Sequence, residues 1–596
     1  MRPTLIAGSI IAALLVAGAA IAAEATMTST PVTSTAADPA PPPAGPVARL
    51  DAAYFLRDPD PRGAAYWEAQ RCDGRSPDPD GRAHRTGALS DDRLTRGGLM
   101  VGFSESPEFR ARSGIGGDEV ACGLERTFFG VEPVSLALST DQIAAAFDLV
   151  ADLGVGTVGV NASTWDELEP APPVDGRPTY DWEVLDAIAR EADRIGVQLQ
   201  VTLQASSWWG TESTGGSMGS AGSSPVRPEH LDDFDAWVAA LVGRYGGGPD
   251  TLLEGLSGPV LSMVMLGNEI EVPGHWAANG SATNPATAAS YHDLLDRFAG
   301  VVEATAPGVS VMRASTNYGS TFDDDPDPAT LAKRVAERGG PPGATFADFQ
   351  TEAVDPARRF DLFATHPNHG VATLEHSADW LHDQLPAGVG LVAEDMRSTA
   401  VDTAFEERWP DRDGDGVDDV LELLRDGAES SGLAGAPAEV VEFRRMQAAI
   451  VAQKTTIAAQ VGYDAALVST MFDFGADYPM PDWWSTGLVN VAAEELRPAF
   501  HAYRELIDAL VGAVPTGLHR PAPGVTVASF TRGGDRVAIA WADGDDRVDL
   551  TPWVGADASA VRLPSMPGEA DVVPLATPVA ATPVDEVPVV AVSSTG

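Results

Sequence analysis

Between about residues 124 and 510, the sequence alternates short apolar runs with longer amphipathic segments. Short apolar runs bounded by turn residues are typical of buried strands, and the amphipathic segments between them are typical of helices that connect parallel strands. Eight such runs occur, around residues 127–129, 156–160, 198–203, 260–266, 309–313, 362–365, 391–393 and 467–472. Because eight parallel strands close into a (β/α)8 barrel, the sequence predicts an α/β fold with a TIM barrel over 124–510.

The first helices of this region carry clear boundary signals. Ser139, followed three residues later by Gln142, forms a capping-box pattern, and Gly154 follows the last apolar position of that helix. A second helix is predicted to end at Gly196. Apolar residues recur every three or four positions, at Ile143, Phe147, Val150 and Leu153 in the first helix and at Trp182, Leu185, Ile188, Ala192 and Ile195 in the second. We therefore expect both helices to pack on the barrel.

The sequence before the barrel begins with features of an exported protein. Residues 1–23 combine a basic start, an apolar stretch and small residues near its end, which predicts a signal peptide and a secreted or extracellular protein. An uncleaved membrane anchor is the alternative, because the stretch approaches the ~20 residues that span a bilayer. Residues 24–46 are rich in Ala, Thr, Ser and Pro, and predict a disordered linker.

Residues 47–113 predict a short helical unit. Its segments 57–63 and 102–109 resemble a small helical domain of unknown function found on exported bacterial proteins. The resemblance implies an accessory module, with association to the cell surface as its expected role. The chain has two cysteines, Cys72 and Cys122, which are too few for a disulfide scaffold or a cysteine-based metal site. Export favours a bond between them, but two separate thiols remain an alternative because the sequence does not give their distance.

The C-terminal residues 515–596 have a different pattern from the barrel. Short β-type runs at 525–530, 537–541 and 548–550 are separated by glycine-containing turn signals, and the helical period is absent. This pattern predicts a small C-terminal β-sandwich.

The charge balance narrows the choice of partner. Asp and Glu number 86 against 39 Lys and Arg, which gives a formal net charge of −47. Such an excess repels nucleic-acid phosphates, so nucleic acid is not expected as a partner. It is compatible with a neutral substrate, and it supplies oxygen ligands for a hard cation such as calcium.

Two glutamates end predicted strands of the barrel, where the working residues of such barrels lie. The fourth strand runs into Asn268 and Glu269, and the seventh runs into Glu394. A lone Glu at such a place is often only a polar residue where a strand meets solvent. Two glutamates at one rim are what glycoside hydrolysis requires, because that reaction uses one protonated and one ionised carboxyl on either side of the scissile bond.

The pair Asn268-Glu269 and the later Glu394 resemble the acid/base and nucleophile of the large clan of retaining (β/α)8 glycosidases that includes families five and thirty-nine. Further matching segments are 153–155, 165–170, 180–182, 244–246, 487–489, 497–499 and Tyr503. The resemblance implies that Glu394 attacks the anomeric carbon, that Glu269 acts as acid and base, and that the two carboxyls lie about 5–5.5 Å apart. It also implies that Asn268 holds the sugar 2-hydroxyl or the nucleophile, and that the β-sandwich corresponds to the C-terminal appendage of family thirty-nine.

Several neighbours of the pair are further candidates. His366 follows the sixth strand, where the clan often carries a substrate-contacting histidine, and a structural histidine bonded to backbone is the alternative. Asp395 is disfavoured as a catalyst because strand alternation points it away from Glu394. Glu271 is a reserve. Where relatives often have an arginine at the end of the second strand, this chain has Asn161, and Arg313 on the fifth strand is a candidate to compensate.

Two pairs of tryptophans follow strands at the same rim, and aromatic rings of this kind can stack on sugar faces. Trp208 and Trp209 follow the third strand, and Trp483 and Trp484 follow the eighth. Core packing is the alternative for one member of each pair.

Residues 411–422 match the twelve-residue calcium-loop pattern, with glycine at its sixth position. The predicted Ca²⁺ ligands are Asp411, Asp413, Asp415, the backbone carbonyl of Val417, Asp419 and Glu422. A solvated acidic loop is the alternative. Because the loop follows the strand that carries Glu394, we expect a structural ion that orders the rim and takes no part in the chemistry.

The sequence therefore predicts a secreted retaining glycoside hydrolase that acts on an oligosaccharide or polysaccharide, with no catalytic cofactor. The alternative is a non-catalytic carbohydrate-binding or cell-surface protein on a glycosidase-like barrel. Convergence of both glutamates in an open cleft with aromatic walls would favour the enzyme, and a closed cleft would favour the alternative.

Overall fold

The computed structural model describes residues 123–593, apart from 136–138, 213–221, 248–250, 273, 278–285, 323–325, 339–341, 400–407, 413–416, 474–485 and 576–577. The chain divides into two units, 1–120 and 121–596, and every described residue belongs to the second. The predicted signal peptide, linker and helical unit, with both cysteines, lie outside the described residues. Among the helices that are described, none has the length and apolar character to span a bilayer.

Eight parallel strands form a closed barrel in sequence order, which confirms the predicted fold. The strands are β1 (Phe129–Ser135), β2 (Thr157–Thr164), β3 (Gln198–Gln204), β4 (Leu261–Leu266), β5 (Ser310–Thr316), β6 (Leu362–Thr365), β7 (Gly390–Arg397) and β8 (Ala465–Ser469). Pairing of β1 with β8 closes the ring.

The connecting helices cover the outside of the barrel. They are α1 (Thr140–Leu153), α2 (Trp165–Leu168), α3 (Glu183–Ile195), α4 (Leu231–Gly246), α5 (Ala288–Thr305), α6 (Pro328–Glu337), α7 (Phe346–Ala353), α8 (Val371–Gln384), α9 (Asp419–Arg425), α10 (Ala438–Gln460) and α11 (Pro498–Leu510). Short 3-10 turns occur at Arg126–Phe128, Pro228–His230, Gly319–Phe322, Leu433–Gly435 and Val579–Ala581. The helices bury their apolar faces against the outer faces of the strands in one continuous core.

The predicted boundaries of α1 and α3 are confirmed. Ser139 and Gln142 form both bonds of the capping box at the start of α1. Gly154 and Gly196 end α1 and α3 in the left-handed conformation, at φ values of 83° and 77°, which favour glycine because it lacks a Cβ.

The first strand begins later than the sequence predicts. Residues Arg126–Phe128 form a 3-10 turn, and β1 extends from Phe129 through Glu132 and Pro133 to Ser135. A charged residue and a proline interrupt the apolar pattern, so no sequence signal indicates that the strand continues there.

The C-terminal region is antiparallel and all-β, as predicted, apart from one short helix, α12 (Thr551–Val554). Two short strands, β9 (Val489–Asn490) and β10 (Glu495–Leu496), form a separate pair before it. Its strands are β11 (Val514–Ala522), β12 (Val525–Arg532), β13 (Asp535–Ala542), β14 (Asp546–Val548), β15 (Ser559–Arg562), β16 (Val573–Pro574), β17 (Thr582–Val584) and β18 (Val589–Val592). Six of them form a sheet in the order β11-β12-β13-β18-β15-β16, and β14 pairs with β17.

The long helix α10 ties the barrel to this sheet and to the segment that follows β7. Gln460 donates to the carbonyl of Ser529 on β12 at 2.8 Å. At its other end, Arg444 donates two bonds to Glu429 at 2.9 and 2.5 Å, and Arg497 also donates to Glu429. Arg497 binds Asp473 after β8 as well, at 2.7 Å. This buried ion network fixes the segments after β7 and β8 against each other.

Candidate active site

The side-chain alternation of the strands directs two polar side chains into one end of the barrel. The barrel interior is filled by a small cluster, Met265, Met312, Ala364, Val392, Ala465 and Leu467. Successive side chains alternate between the two faces of a strand, so Glu394 lies on the same face as Val392, and His366 on the same face as Ala364. Both therefore point inward at the carboxyl ends of β7 and β6, where barrel active sites lie.

His366 joins the two sequence-predicted catalysts. Its Nδ1 lies 2.9 Å from Oε1 of Glu269, and its Nε2 lies 2.5 Å from Oε2 of Glu394. One imidazole ring thus spans the gap between the two carboxyl groups. The Glu394 side chain is 1% exposed and that of Glu269 is 18% exposed. The two glutamates converge, with Glu269 on the more open side.

Glu269 is held by several donors in a strained backbone conformation. Its φ of 43° lies in the left-handed region, which is costly for a non-glycine residue and is concentrated at functional sites. The side-chain amide of Asn317 donates to Oε1 at 3.0 Å, and His275 Nδ1 lies 3.9 Å from Oε2. Burial raises the pKa of Glu269, but the hydrogen bond and charge of His366, together with His275 and Asn317, hold it at about 2. In this arrangement Glu269 is ionised.

His366 is charged in the same arrangement. Burial by itself lowers the pKa of an imidazole, but here the charges of Glu394 and Asp395 and the bonds to both glutamates raise the pKa of His366 well above its ordinary value. The structural alternative of a histidine bonded to backbone is not what the ring contacts show, because both ring nitrogens face carboxylates.

Asn268 and Glu271, which flank Glu269, contact the end of β5. Asn268 accepts a hydrogen bond from Ser315 at 2.7 Å. Glu271 is buried and accepts from the backbone N–H of Asn317 at 2.8 Å, and burial raises its pKa to about 7. Glu271 therefore orients the residue that donates to Glu269.

The structure corrects the expectation for Asp395. Regular alternation would turn this side chain outward, but its φ is 50° and the register between β7 and β8 shifts between Ala393 and Met396. The strand is irregular at this point, and Asp395 Oδ2 lies 3.6 Å from His366 Nδ1. Burial raises the pKa of Asp395 to about 6, with the charge of Glu394 also raising it and that of His366 lowering it.

Sequence reasoning missed Glu132, a buried residue of β1. Its Oε1 accepts the backbone N–H of Asp395 at 2.8 Å. A Cβ at Gly159 on β2 would lie 2.7 Å from Cγ of Glu132, so the glycine makes room for this side chain. Burial and the charges of Glu394 and Asp395 raise the pKa of Glu132 well above its ordinary value. The available signal was an acidic residue within an apolar strand, but the predicted first strand ended at Phe129.

Arg313 is fully buried in the barrel wall. It donates to the Thr316 hydroxyl at 2.5 Å and to the Ala314 carbonyl at 2.9 Å, and its guanidinium lies 4.8 Å from the ring centre of Phe363. Its charge lowers the pKa of Glu271, against the larger effect of burial. The side chain of Asn161 lies outside the described residues.

The two tryptophans after β3 differ in their surroundings. Trp208 is 50% exposed, and its indole N–H donates to the Pro170 carbonyl at 3.2 Å. For Trp209 the structure corrects the sugar-stacking expectation: it is 4% exposed and packs edge-on against Trp165 at 4.8 Å, so its ring faces are occupied by the core. Trp483 and Trp484 lie outside the described residues.

A buried lysine of α10 ties the segment after β6, which carries His366, to the end of β7, the strand that carries Glu394. The Lys454 ammonium donates to the carbonyls of Pro367 at 2.8 Å, Arg397 at 3.2 Å and Thr399 at 3.3 Å. Pro367 follows β6, Arg397 is the last residue of β7, and Thr399 follows β7. Lys454 therefore fixes the spacing between the His366 and Glu394 segments.

The predicted calcium loop is only partly described. Asp413 and Asp415 lie outside the described residues. Asp419 pairs with Arg412 at 2.7 Å, and Glu422 pairs with Arg425 at 2.6 Å. Within the described part of the chain, no group of three or more His, Cys, Asp or Glu side chains is placed to hold a metal. The ligand set, including Asp411 and Val417, stays a prediction.

Comparison with known proteins gives structural similarities only. No protein-family model and no curated protein matches the sequence. The chain is similar in structure to a family 39 glycoside hydrolase from Bacteroides cellulosilyticus WH2, at 13% identity over 79% of this chain and 81% of that one, with a TM-score of 0.49. It is also similar to a GH39 β-xylosidase from Caulobacter crescentus, at 15% identity over 80% and 98%, with a TM-score of 0.48. A GH30 endoxylanase from Clostridium papyrosolvens C71 matches at 11% identity over 80% and 98%, with a TM-score of 0.45.

Proposed function

We propose that this chain is a secreted retaining glycoside hydrolase that cleaves O-glycosidic bonds of an oligosaccharide or polysaccharide. The observation that carries the proposal is the convergence of Glu269 and Glu394 on the two nitrogens of one buried imidazole, at the catalytic end of a closed (β/α)8 barrel. Retention is proposed from the resemblance of Asn268, Glu269 and Glu394 to the retaining clan, whose two carboxyls lie about 5–5.5 Å apart.

In the proposed reaction, an oxygen of Glu394 bonds to the anomeric carbon as the bond to the leaving oxygen breaks, and Glu269 gives its proton to that oxygen. Water then attacks the same carbon, its proton passes to Glu269, and the ester bond to Glu394 breaks. Two inversions give net retention. Asn268, bonded to Ser315 beside Glu269, is the proposed contact for the sugar 2-hydroxyl, and Trp208 is the proposed stacking platform.

Retention of configuration is the expected outcome of this chemistry. The protein is incubated with an aryl glycoside that it cleaves, and proton NMR of the first product is recorded before mutarotation. We expect the anomeric configuration of the substrate. Initial release of the opposite anomer would contradict the double displacement and would assign Glu269 and Glu394 to an inverting reaction.

The near-complete cover of Glu394 favours a second candidate, a non-catalytic carbohydrate-binding or surface protein. A protein of this class would bind a polysaccharide without releasing reducing sugar. Binding without turnover, retained after replacement of either glutamate, would support it.

Export and surface association are proposed from the sequence alone. Residues 1–23 are the proposed signal peptide, and residues 47–113 are the proposed surface-association module. N-terminal sequencing of protein from the culture medium checks the first point, because a secreted form should lack residues 1–23.

Calcium is proposed as a structural ion of residues 411–422, whose predicted donors are all oxygen atoms. An ion bound only by the folded state adds about 2.7 kcal/mol of stability at a calcium concentration 100 times its Kd. Chelator should therefore lower the melting temperature and expose this segment to proteolysis, and Asp411→Ala should abolish both responses. Asp426→Ala, a matched change of an exposed aspartate beyond the loop, should respond like wild type. A wild-type protein that is indifferent to chelator would refute the site.

A further inference from the structure

We infer that Asp395 is a positioning residue that pairs with His366 while Glu269 holds its catalytic proton. The inference rests on the proposed function. It assigns a role to a carboxylate that the double displacement does not use, and it concerns the same site.

The contacts of Glu269 in this structure conflict with its proposed role as a general acid. A general acid must be protonated, but the bond from His366 Nδ1 stabilises the ionised form of Glu269, whose pKa is held at about 2. The other nitrogen, Nε2, is already bonded to Glu394. Glu269 can act as an acid only when Nδ1 has another partner.

Asp395 is the group placed to be that partner. Its Oδ2 lies 3.6 Å from Nδ1, against 2.9 Å for Oε1 of Glu269, so a small rotation of the ring or the carboxylate exchanges the two acceptors. The exchange leaves the imidazolium paired and buried, which avoids the cost of an unpaired buried charge.

The backbone around Asp395 is built to hold it there. Glu132 accepts the Asp395 N–H at 2.8 Å, and the φ of 50° turns the side chain toward His366 instead of away from it. The other titratable or charged groups around this pair are Glu269, Glu271 and His275 after β4, and Glu394 and Arg397 on β7. Burial raises the pKa of Asp395 to about 6 and the charge of His366 lowers it, so the imidazolium favours the ionised carboxylate that it would pair with.

The exchange returns each group to its starting protonation state over one catalytic cycle. While His366 Nδ1–H donates to Asp395, the proton on Glu269 goes to the leaving oxygen as Glu394 bonds to the anomeric carbon. The new Glu269 carboxylate then accepts Nδ1–H from His366, which is the arrangement in this structure. When water attacks the glycosyl ester, its proton returns to Glu269, and His366 returns to Asp395.

Asp395→Asn tests the inference with two aryl glycosides of one sugar that wild type cleaves, one with a poor leaving group such as phenol and one with 2,4-dinitrophenol. Without the charge of Asp395, His366 Nδ1 stays hydrogen-bonded to Glu269 and keeps that carboxylate ionised. We expect kcat/KM to fall by about 10- to 100-fold for the phenyl glycoside and by less than about 3-fold for the dinitrophenyl glycoside, whose departure needs no proton. The alkaline limb of the phenyl profile should move to lower pH, because Glu269 then loses its proton more readily.

The matched control is Asp464→Asn. Asp464 accepts the Leu391 amide at 2.9 Å, near the opposite end of the same strand β7, and the control should keep the wild-type pH profile. Asp395→Glu should restore part of the phenyl activity, and Asp395→Ser gives the same readout if Asn perturbs folding. Equal loss on both glycosides, or no loss on either, would overturn the role of Asp395. Failure of wild type to cleave any aryl glycoside or polysaccharide, so that no such pair is found, would instead overturn the proposed function.

Discussion

Glu394→Gln is expected to reduce hydrolysis by on the order of 10⁴-fold or more, measured as kcat on any glycoside that wild type cleaves. The amide has nearly the same shape and can still accept a hydrogen bond from His366, but it cannot form the ester with the anomeric carbon. Because the amide keeps the shape of the side chain and an oxygen that accepts from His366, the variant should keep the wild-type fold.

Glu375→Gln is the control for Glu394→Gln. It makes the same chemical change on α8, where Glu375 pairs with Arg520 on β11, and should leave activity unchanged. An active Glu394→Gln protein would move the nucleophile elsewhere, and Asp395 would then be the next carboxylate to test.

Glu269→Gln should have an effect that depends on the leaving group. We expect a loss of about 10²- to 10⁴-fold in kcat/KM for substrates with poor leaving groups, since loss of a general acid costs that range. Dinitrophenyl glycosides should still form the glycosyl-enzyme, which then accumulates because no base activates water. A burst of one dinitrophenolate per enzyme, measured by stopped flow, checks this result.

Added azide separates the acid/base role of Glu269 from a structural one. Azide is a nucleophile that needs no general base, so it should speed turnover of Glu269→Gln and give a glycosyl azide. It should give none with Glu394→Gln. A uniform loss on all substrates with no azide effect would contradict the assignment of Glu269.

Much of the site follows from the sequence through one rule, that working residues lie where the apolar strands of a barrel end. Glu269, Glu394 and His366 each follow an apolar run, and the ends of parallel strands meet at one rim of a barrel. The direction of a side chain cannot be predicted from strand alternation where the backbone leaves the regular strand. Asp395 and Glu269 both have positive φ, at 50° and 43°, and no local pattern in the sequence signals either conformation.

Other features depended on contacts between distant residues. Glu132 belongs to the site because Gly159 on the next strand leaves space for it, and Asp395 comes from the other end of the barrel sequence. Trp209 is buried because its ring packs against Trp165 and the surrounding core, whereas its neighbour Trp208 is exposed. A sequence pattern predicts which face of a strand a side chain lies on, but it does not predict which distant residue that side chain will contact.

Two of the four described non-glycine residues with positive φ, Glu269 and Asp395, lie in the candidate site. Non-glycine residues in this region cost of order 1–3 kcal/mol each and persist where the surroundings fix them. Here the fixing contacts are Asn317 and His366 for Glu269, and Glu132 for Asp395. The site is therefore organised before substrate binds, which is what electrostatic stabilisation of an oxocarbenium-like centre requires.

The most direct test of the central claim is hydrolysis of a broad panel of polysaccharides and aryl glycosides by the wild-type protein, run beside Glu394→Gln. The account predicts that wild type releases sugar from at least one member of the panel and that Glu394→Gln releases none from it. Equal release by both proteins, or binding of a polysaccharide by wild type with no release from any substrate, would contradict it.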